Sequence, residues 1–104
     1  MKRVIHRPRA DNDIDAILLH YTRVNVEIAN DFLYEVLKAS DQISRMPGIG
    51  SPRLSYQLEI PGLRSYSLDI FPYTLIYFER ENHIDLARIL HSHRDIFNLL
   101  LGIE

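Results

Sequence analysis

Three arginines and one histidine in the second half of the chain are candidates for chemistry on a phosphate group. Cleavage of an RNA phosphodiester requires groups that hold the phosphate, stabilise its developing charge and move a proton, and arginine, histidine and tyrosine can supply them. An unperturbed histidine has a pKa of about 6.5, so it can act as a general acid or base. The candidate catalytic residues are Arg64, Arg88, His91 and Arg94, with Tyr73 or Tyr77 expected nearby in a sheet.

Each candidate also has a structural interpretation. Arg64 follows a Gly-Leu turn, where an arginine can simply be solvated at a strand end. Arg88 shares a strand face with apolar residues, and an arginine there commonly pairs with a carboxylate such as Glu79 or Asp69. His91 falls at the end of the same strand, where a histidine can be a hydrogen-bonded rim residue. Residue type alone therefore leaves the nuclease interpretation open.

Three histidines near the end of the chain raise the question of a metal site. His91 and His93 can project to one side if the strand continues, yet no Asp or Glu completes a familiar ligand spacing with them or with His83. The chain contains no cysteine, which excludes disulfides and thiolate-bound metals. We therefore expect neither a metal nor another cofactor.

The composition is that of an ordinary folded domain without a strong overall charge. The chain has 104 residues, of which 46% are hydrophobic and 25% charged, and this predicts a single domain over residues 1–104. The formal net charge is −2, whereas free-standing nucleic-acid binders are usually basic. No segment is apolar enough for a signal peptide or a membrane span, so we expect a cytoplasmic protein without membrane contact.

The elements that must position these side chains begin with a short strand and two amphipathic helices. Residues 2–7 precede Pro8 and predict a first strand at a sheet edge. The next segment has the apolar spacing of one helical face, and that helix begins either at Pro8 or at a capping Asp11. The spaced residues are Ile14, Ile17, Leu18 and Tyr21. Asn25 is the expected N-cap of a second helix that ends at Pro47, and the short turn predicts an antiparallel hairpin.

After Met46 the pattern changes from helical to extended. Residues 47–52 (PGIGSP) predict a loop, and the segments after it predict strands. These strands comprise an alternating segment at 65–70, a segment at 73–80 that is apolar on both faces, and residues 84–91 after a tight reversal. The order β-α-α-β-β-β predicts an α+β domain, an antiparallel-dominated sheet with a helical hairpin packed on one face.

The last segment, residues 95–101 (DIFNLLL), is apolar enough to be a short tail helix or a segment that docks a partner. An exposed apolar patch of this kind is a liability in a monomer, so burial against the domain or a partner is expected. The candidate partner-binding residues are Phe97, Leu100 and Leu101. A partner helix or strand laid beside them is the expected mode of contact.

This order of elements, with particular residues in it, resembles the ParE/RelE superfamily of toxins across essentially the whole chain. The most specific part is the end, where Tyr73, Ile76 and Tyr77 precede Arg88-Ile89-Leu90-His91 and Arg94-Asp95. Earlier matches are Pro8, Ala10, Asp13, Ile14, Ile17, Tyr21, Ala29, Phe32, Leu37, Met46-Pro47, Gly50 and Gly62-Leu63-Arg64.

The resemblance implies the toxin of a type II toxin-antitoxin system, neutralised in a hetero-oligomer by a cognate antitoxin whose C-terminal segment wraps it. ParE-like toxins trap DNA gyrase on cleaved DNA, whereas RelE-like toxins cut messenger RNA on the ribosome, and the shared fold does not distinguish them. The only lysines here are Lys2 and Lys38, neither on the sheet where RelE-like nucleases place lysine clusters. This favours a ParE-like gyrase inhibitor without catalysis.

Two alternatives stay open. In a RelE-like endoribonuclease acting on the ribosome with its messenger RNA, the four cationic candidates would be catalytic. In a superfamily member that has lost toxicity, the chain would be a binding module of the same fold.

Overall fold

The chain forms one four-stranded sheet with helices on both of its faces. The computed structural model describes residues 1–104, and its elements in chain order are β1 (Arg3–His6), α1 (Pro8–Val24), α2 (Val26–Arg45), a 3-10 helical turn (Pro47–Ile49), α3 (Arg53–Leu58), β2 (Leu63–Ser67), β3 (Tyr73–Glu79), β4 (His83–His91) and α4 (Ile96–Leu99). The strand order is β1-β4-β3-β2, with β1 parallel to β4 and the other pairs antiparallel. The predicted α+β fold and the edge position of β1 are confirmed. No helix combines the length and apolar character needed to cross a membrane.

The hairpin of α1 and α2 begins at Pro8 rather than at Asp11. Proline occupies the first helical position, where its missing N–H would have no intrahelical partner in any case. Asn25 separates the two helices and caps α2, because its side-chain oxygen accepts a hydrogen bond from the Glu27 backbone N–H at 2.7 Å. The predicted cap and the predicted hairpin are both confirmed.

Two apolar clusters lie on opposite faces of the sheet. The larger fills the space between the hairpin and the sheet and includes Phe32, Val36, Leu75, Tyr77 and Ile89. The smaller is covered by α3 and the C-terminal tail and includes Leu63, Ile76, Phe78, Leu90, Leu100 and Ile103. Successive residues of β3 belong to different clusters, since side chains alternate across a strand. The prediction that this strand is buried on both faces is confirmed.

The segment between α2 and β3 differs from its prediction. Residues 53–58 form the short helix α3 instead of a strand, and the helix packs Leu54 and Leu58, one turn apart, against the smaller cluster. Strand β2 starts at Leu63 and ends at Ser67. The alternating pattern continues to Ile70 but the strand does not, because residues 69–72 form a bend in which Ile70 is 76% exposed.

Candidate functional site

A cleft of about 320 Å³ opens between α1 and the C-terminal end of β4. Helix α1 supplies side chains three or four residues apart, which lie on one helical face. The lining residues are Asp13, Ala16, Ile17, His20, Tyr73, Arg88, Ile89, Leu90, His91, Arg94 and Leu99. The cleft therefore brings together three of the four candidate catalytic residues, Arg88, His91 and Arg94, with Tyr73. His20 was not predicted to belong to the site, although its helical spacing from Asp13 and Ile17 was a usable signal.

Asp13 and Arg88 form a two-point ion pair in this cleft. The Nε and Nη2 groups of Arg88 donate to the two carboxylate oxygens of Asp13 at 2.8 and 3.0 Å. The predicted partners of the arginine were wrong, because Glu79 binds Lys2 at 2.8 Å and Asp69 lies 77% exposed near a different lysine. Arg88 does form the expected structural ion pair, but its partner Asp13 lies 75 residues earlier in the chain.

The same carboxylate also takes the place of a strand at the sheet edge. Strand β1 pairs with β4 only as far as His6 opposite Leu86. A register irregularity between β3 and β4 leaves Ala87 without a partner, a bulge that displaces the following residues. The Ile89 backbone N–H then donates to Asp13 Oδ2 at 3.0 Å, which satisfies a donor beyond the end of β1.

Arg88 is held charged but is not fully hydrogen-bonded. Its hydrogen bond to Asp13 raises the arginine pKa, and Coulombic attraction to the same carboxylate adds to this effect while burial opposes it. Its Nη1 nitrogen is buried and has no hydrogen-bond partner. Leaving a buried donor unpaired costs about 1–3 kcal/mol, and more when the group is charged. Arg88, which lines the cleft, therefore has one cationic donor that no acceptor of the chain satisfies.

Tyr73 and His91 lie opposite each other on β3 and β4 and line the same cleft. Their ring centroids are 5.3 Å apart with the rings nearly perpendicular. The His93 backbone N–H donates to His91 Nδ1 at 3.1 Å, so a neutral imidazole there has its proton on Nε2. Burial, together with the neighbouring Tyr21, raises the pKa of Tyr73 and keeps its phenol protonated at neutral pH.

No three His, Asp or Glu side chains are grouped as a metal site.

Arg64, the fourth candidate, lies outside the cleft and fixes the loop at residues 47–50. Its Nη1 donates to the Gly50 carbonyl at 2.7 Å. Tyr77 fixes the same loop, because its hydroxyl accepts from the Gly50 N–H at 2.9 Å and donates to the Pro47 carbonyl at 2.6 Å. Tyr77 is fully buried, so it is not placed to contact a substrate. In the structure both side chains position the loop.

A second cleft of about 510 Å³ lies between α3 and α4 and was not foreseen. Its floor is lined by hydroxyl groups, and Thr74 Oγ1 lies within hydrogen-bond distance of Ser67 Oγ at 3.1 Å and Ser92 Oγ at 2.9 Å. These hydroxyls satisfy one another. Arg94 lines both clefts and so lies between them. The alternating serines of β2 were the sequence signal for this polar face.

The three candidate partner-binding residues of the tail differ in their exposure. Phe97 is 46% and Leu101 is 75% exposed, so both are available to a partner. Leu100 is completely buried in the smaller cluster, and its assignment to a partner surface was wrong because the side chain completes the core.

Comparison with known proteins agrees with this architecture. A family profile described as "ParE toxin of type II toxin-antitoxin system, parDE" matches residues 4–96. A solved structure from P. aeruginosa, titled "Chromosomal ParDE TA system", superimposes with a TM-score of 0.74 at 23% sequence identity. The match covers 89% of this chain and 98% of that chain, and at this identity it is evidence about the fold. A search among curated proteins found no match.

Proposed function

This chain belongs to the ParE toxin family of type II toxin-antitoxin systems, and we propose that it inhibits DNA gyrase and is neutralised by a cognate antitoxin. The observation that supports this most is the family match, which runs from β1 to the start of α4. A type II toxin meets both its target and its antitoxin in the cytoplasm, which is therefore the proposed location.

Several cationic side chains already form hydrogen bonds or ion pairs within the chain, which favours inhibition by binding over catalysis. Arg64 is hydrogen-bonded to the loop and Arg88 to Asp13, so neither guanidinium is free to move with a reacting phosphate. Of the two lysines, Lys2 binds Glu79 at 2.8 Å and Lys38 lies beside Glu35 and Asp69. With a formal net charge of −2, the chain presents little of the positive field that favours RNA binding.

One observation favours the alternative, a RelE-like endoribonuclease. His91 is in the cleft with Arg88, Arg94 and Tyr73, a set that includes a proton carrier and phosphate ligands. A double substitution of His91 and Arg94 by alanine distinguishes the two functions. A nuclease would lose messenger RNA cleavage on the ribosome while its circular dichroism spectrum stays that of the wild type.

A supercoiling assay tests the proposal directly. Purified chain is titrated into DNA gyrase with ATP and relaxed plasmid, and the products are scored for lost supercoiling and for linear DNA trapped on the enzyme. The proposal expects both, and expects the antitoxin to restore supercoiling when added first. No effect at micromolar chain would reject gyrase as the target, and unchanged growth on induced expression would indicate a non-toxic binding module.

The exposed part of the tail is the proposed contact for the antitoxin. Leu101→Ser removes an apolar side chain that is 75% exposed, and Ile70→Ser is a matched control at 76% exposure in the turn before β3. We expect the tail substitution alone to weaken antitoxin binding in calorimetry, by about tenfold, because buried apolar area is lost from the interface. Equal affinities for the two variants would place the antitoxin elsewhere on the toxin.

A further inference from the structure

We propose that the cleft between α1 and β4 binds a carboxylate group, the end of an acidic side chain that the antitoxin inserts there. The assignment of this carboxylate to an antitoxin rests on the proposed function. The carboxylate site itself rests only on the groups that line the cleft.

The cleft has unused capacity to bind an anion. Arg88 is only 8% exposed, and its Nη1 nitrogen is buried without an acceptor. Arg94 is exposed at the rim, and the ion pairs of the chain involve other arginines, namely Arg7, Arg45, Arg80 and Arg88. The two arginines of the cleft outnumber its single aspartate, which leaves one excess positive charge in a chain whose net charge is −2.

Two imidazoles add to the capacity of the cleft to bind an anion. His20 and His91 line the same cleft and can donate to an oxyanion, the second through Nε2 because its Nδ1 already accepts a hydrogen bond. A guanidinium and a carboxylate form charge-assisted hydrogen bonds, about twice as strong as neutral ones. The accessible donors of the cleft, the Arg94 guanidinium and the two imidazoles, are therefore groups that a carboxylate would satisfy.

The rest of the lining favours a carboxylate on an apolar stem over a nucleic-acid phosphate. Ala16, Ile17, Leu90 and Leu99 provide apolar walls that suit the methylene groups of a glutamate or the neighbours of an aspartate. A volume of about 320 Å³ accommodates one or two side chains. A nucleic-acid backbone requires several cations along its path, and the acidic balance of this chain opposes it.

The first test uses sodium butyrate, a carboxylate on a short apolar stem, titrated into the isotope-labelled chain at constant ionic strength. Butyramide has nearly the same shape without the charge. We expect saturable amide shifts at Ile89 and His91 with butyrate, and at least about tenfold weaker binding of butyramide. Arg94→Gln should weaken butyrate binding several-fold, whereas Arg53→Gln, an exposed arginine of the second cleft, should leave it unchanged.

Three results would overturn the carboxylate site. They are an absence of saturable shifts, equal binding of butyrate and butyramide, and tighter binding of inorganic phosphate than of butyrate. The last would indicate that the cleft recognises phosphate. Because Arg94 is exposed, its variant is expected to fold, and the unperturbed amide spectrum verifies this.

The second test identifies the source of the carboxylate. In the purified complex with the antitoxin, the Ile89 and His91 signals should no longer respond to butyrate. If butyrate still binds the complex as it binds the free chain, the antitoxin does not occupy the cleft and the proposal fails on that point. Neither titration contains gyrase, so a failure here is distinct from a failure to inhibit supercoiling.

Discussion

Two side chains bind backbone groups that the sheet itself does not reach. Asp13 accepts two hydrogen bonds from Arg88 and a third from the Ile89 N–H. Tyr77 bridges the N–H and the carbonyl of two residues in the loop at 47–50. Asp13 substitutes for a missing strand neighbour and Tyr77 for a missing backbone partner in the loop, so the loss of either leaves buried polar groups without partners.

Asp13→Ala is expected to be among the most destabilising single changes on α1. The substitution leaves the Arg88 charge buried without a counter-ion, and breaking such a pair costs about 3 kcal/mol. Urea unfolding monitored by circular dichroism measures the change. Asp15→Ala, an exposed residue on the same helix, should stay within about 0.5 kcal/mol of wild type. Equal midpoints for the two variants would show that the ion pair contributes nothing.

Gly50 has a steric requirement that Gly48 lacks. A Cβ atom at Gly50 would lie 2.5 Å from the Tyr77 hydroxyl, whereas one at Gly48 would meet nothing within 4 Å. Gly50→Ala should therefore displace the loop and lower stability by about 1–3 kcal/mol, the usual cost of overpacking. Gly48→Ala is the control and should change the urea midpoint little. A wild-type midpoint for the first variant would mean that the loop moves without cost.

At the scale of elements, one aspartate joins three parts of the chain. Arg7, between β1 and α1, donates to both carboxylate oxygens of Asp85 on β4 at 2.9 and 2.8 Å. Its remaining donor reaches the Ile103 carbonyl in the tail. Arg80 binds the same carboxylate at 2.8 Å, and its guanidinium stacks over the Phe78 ring. This junction therefore fixes the tail to the sheet.

The junction predicts a contribution to stability that is lost in acid. The hydrogen bond from Arg7, with further effects of Arg80, lowers the pKa of Asp85 against the opposing effect of burial. Because the folded-state pKa lies below the unfolded value of about 3.9, the contribution is present above that pH and disappears as the pH falls through the folded pKa.

Asp85→Asn should therefore be less stable than wild type at pH 7, and the difference should shrink below about pH 4. Urea midpoints between pH 7 and pH 2 measure it. Asp69→Asn is the control, since its carboxylate is 77% exposed and the substitution should change the urea midpoint little. A difference that is constant with pH would show that the Asn variant is destabilised by altered packing rather than by the lost charge.

Sequence patterns predicted the elements better than the contacts between them. Apolar spacing and Asn25 located the helical hairpin, but α3 has only six residues and a single apolar pair at helical spacing, too little for a periodic signal. The partner of Arg88 is 75 residues away in the chain, and a strand pattern does not say which helix covers its face. Arg88, His91 and Arg94 meet because they are close in sequence, whereas Arg64 lies on β2, which β3 separates from β4.

At the scale of the whole molecule, both core clusters depend on the same sheet. Alternate residues of β3 enter the two clusters, so the smaller cluster cannot lose its order without exposing the back of strands that support the larger one. The tail covers the smaller cluster with Leu100 and Ile103. It is therefore expected to unfold with the domain, in a single transition.

Leu100→Ala tests whether the tail is part of that cooperative unit. The side chain is completely buried, so its truncation should cost about 2–4 kcal/mol, whereas Leu101→Ala, at 75% exposure, should cost less than about 0.5 kcal/mol. The chain has no tryptophan, and four of its six tyrosines lie in or against the larger cluster, so tyrosine fluorescence reports mainly on that cluster. If the molecule is one unit, the fluorescence and circular dichroism midpoints in urea shift together in the Leu100 variant. If the tail only detaches, the tyrosine midpoint stays at its wild-type value, because the hairpin and sheet then keep their stability without the C-terminal cover.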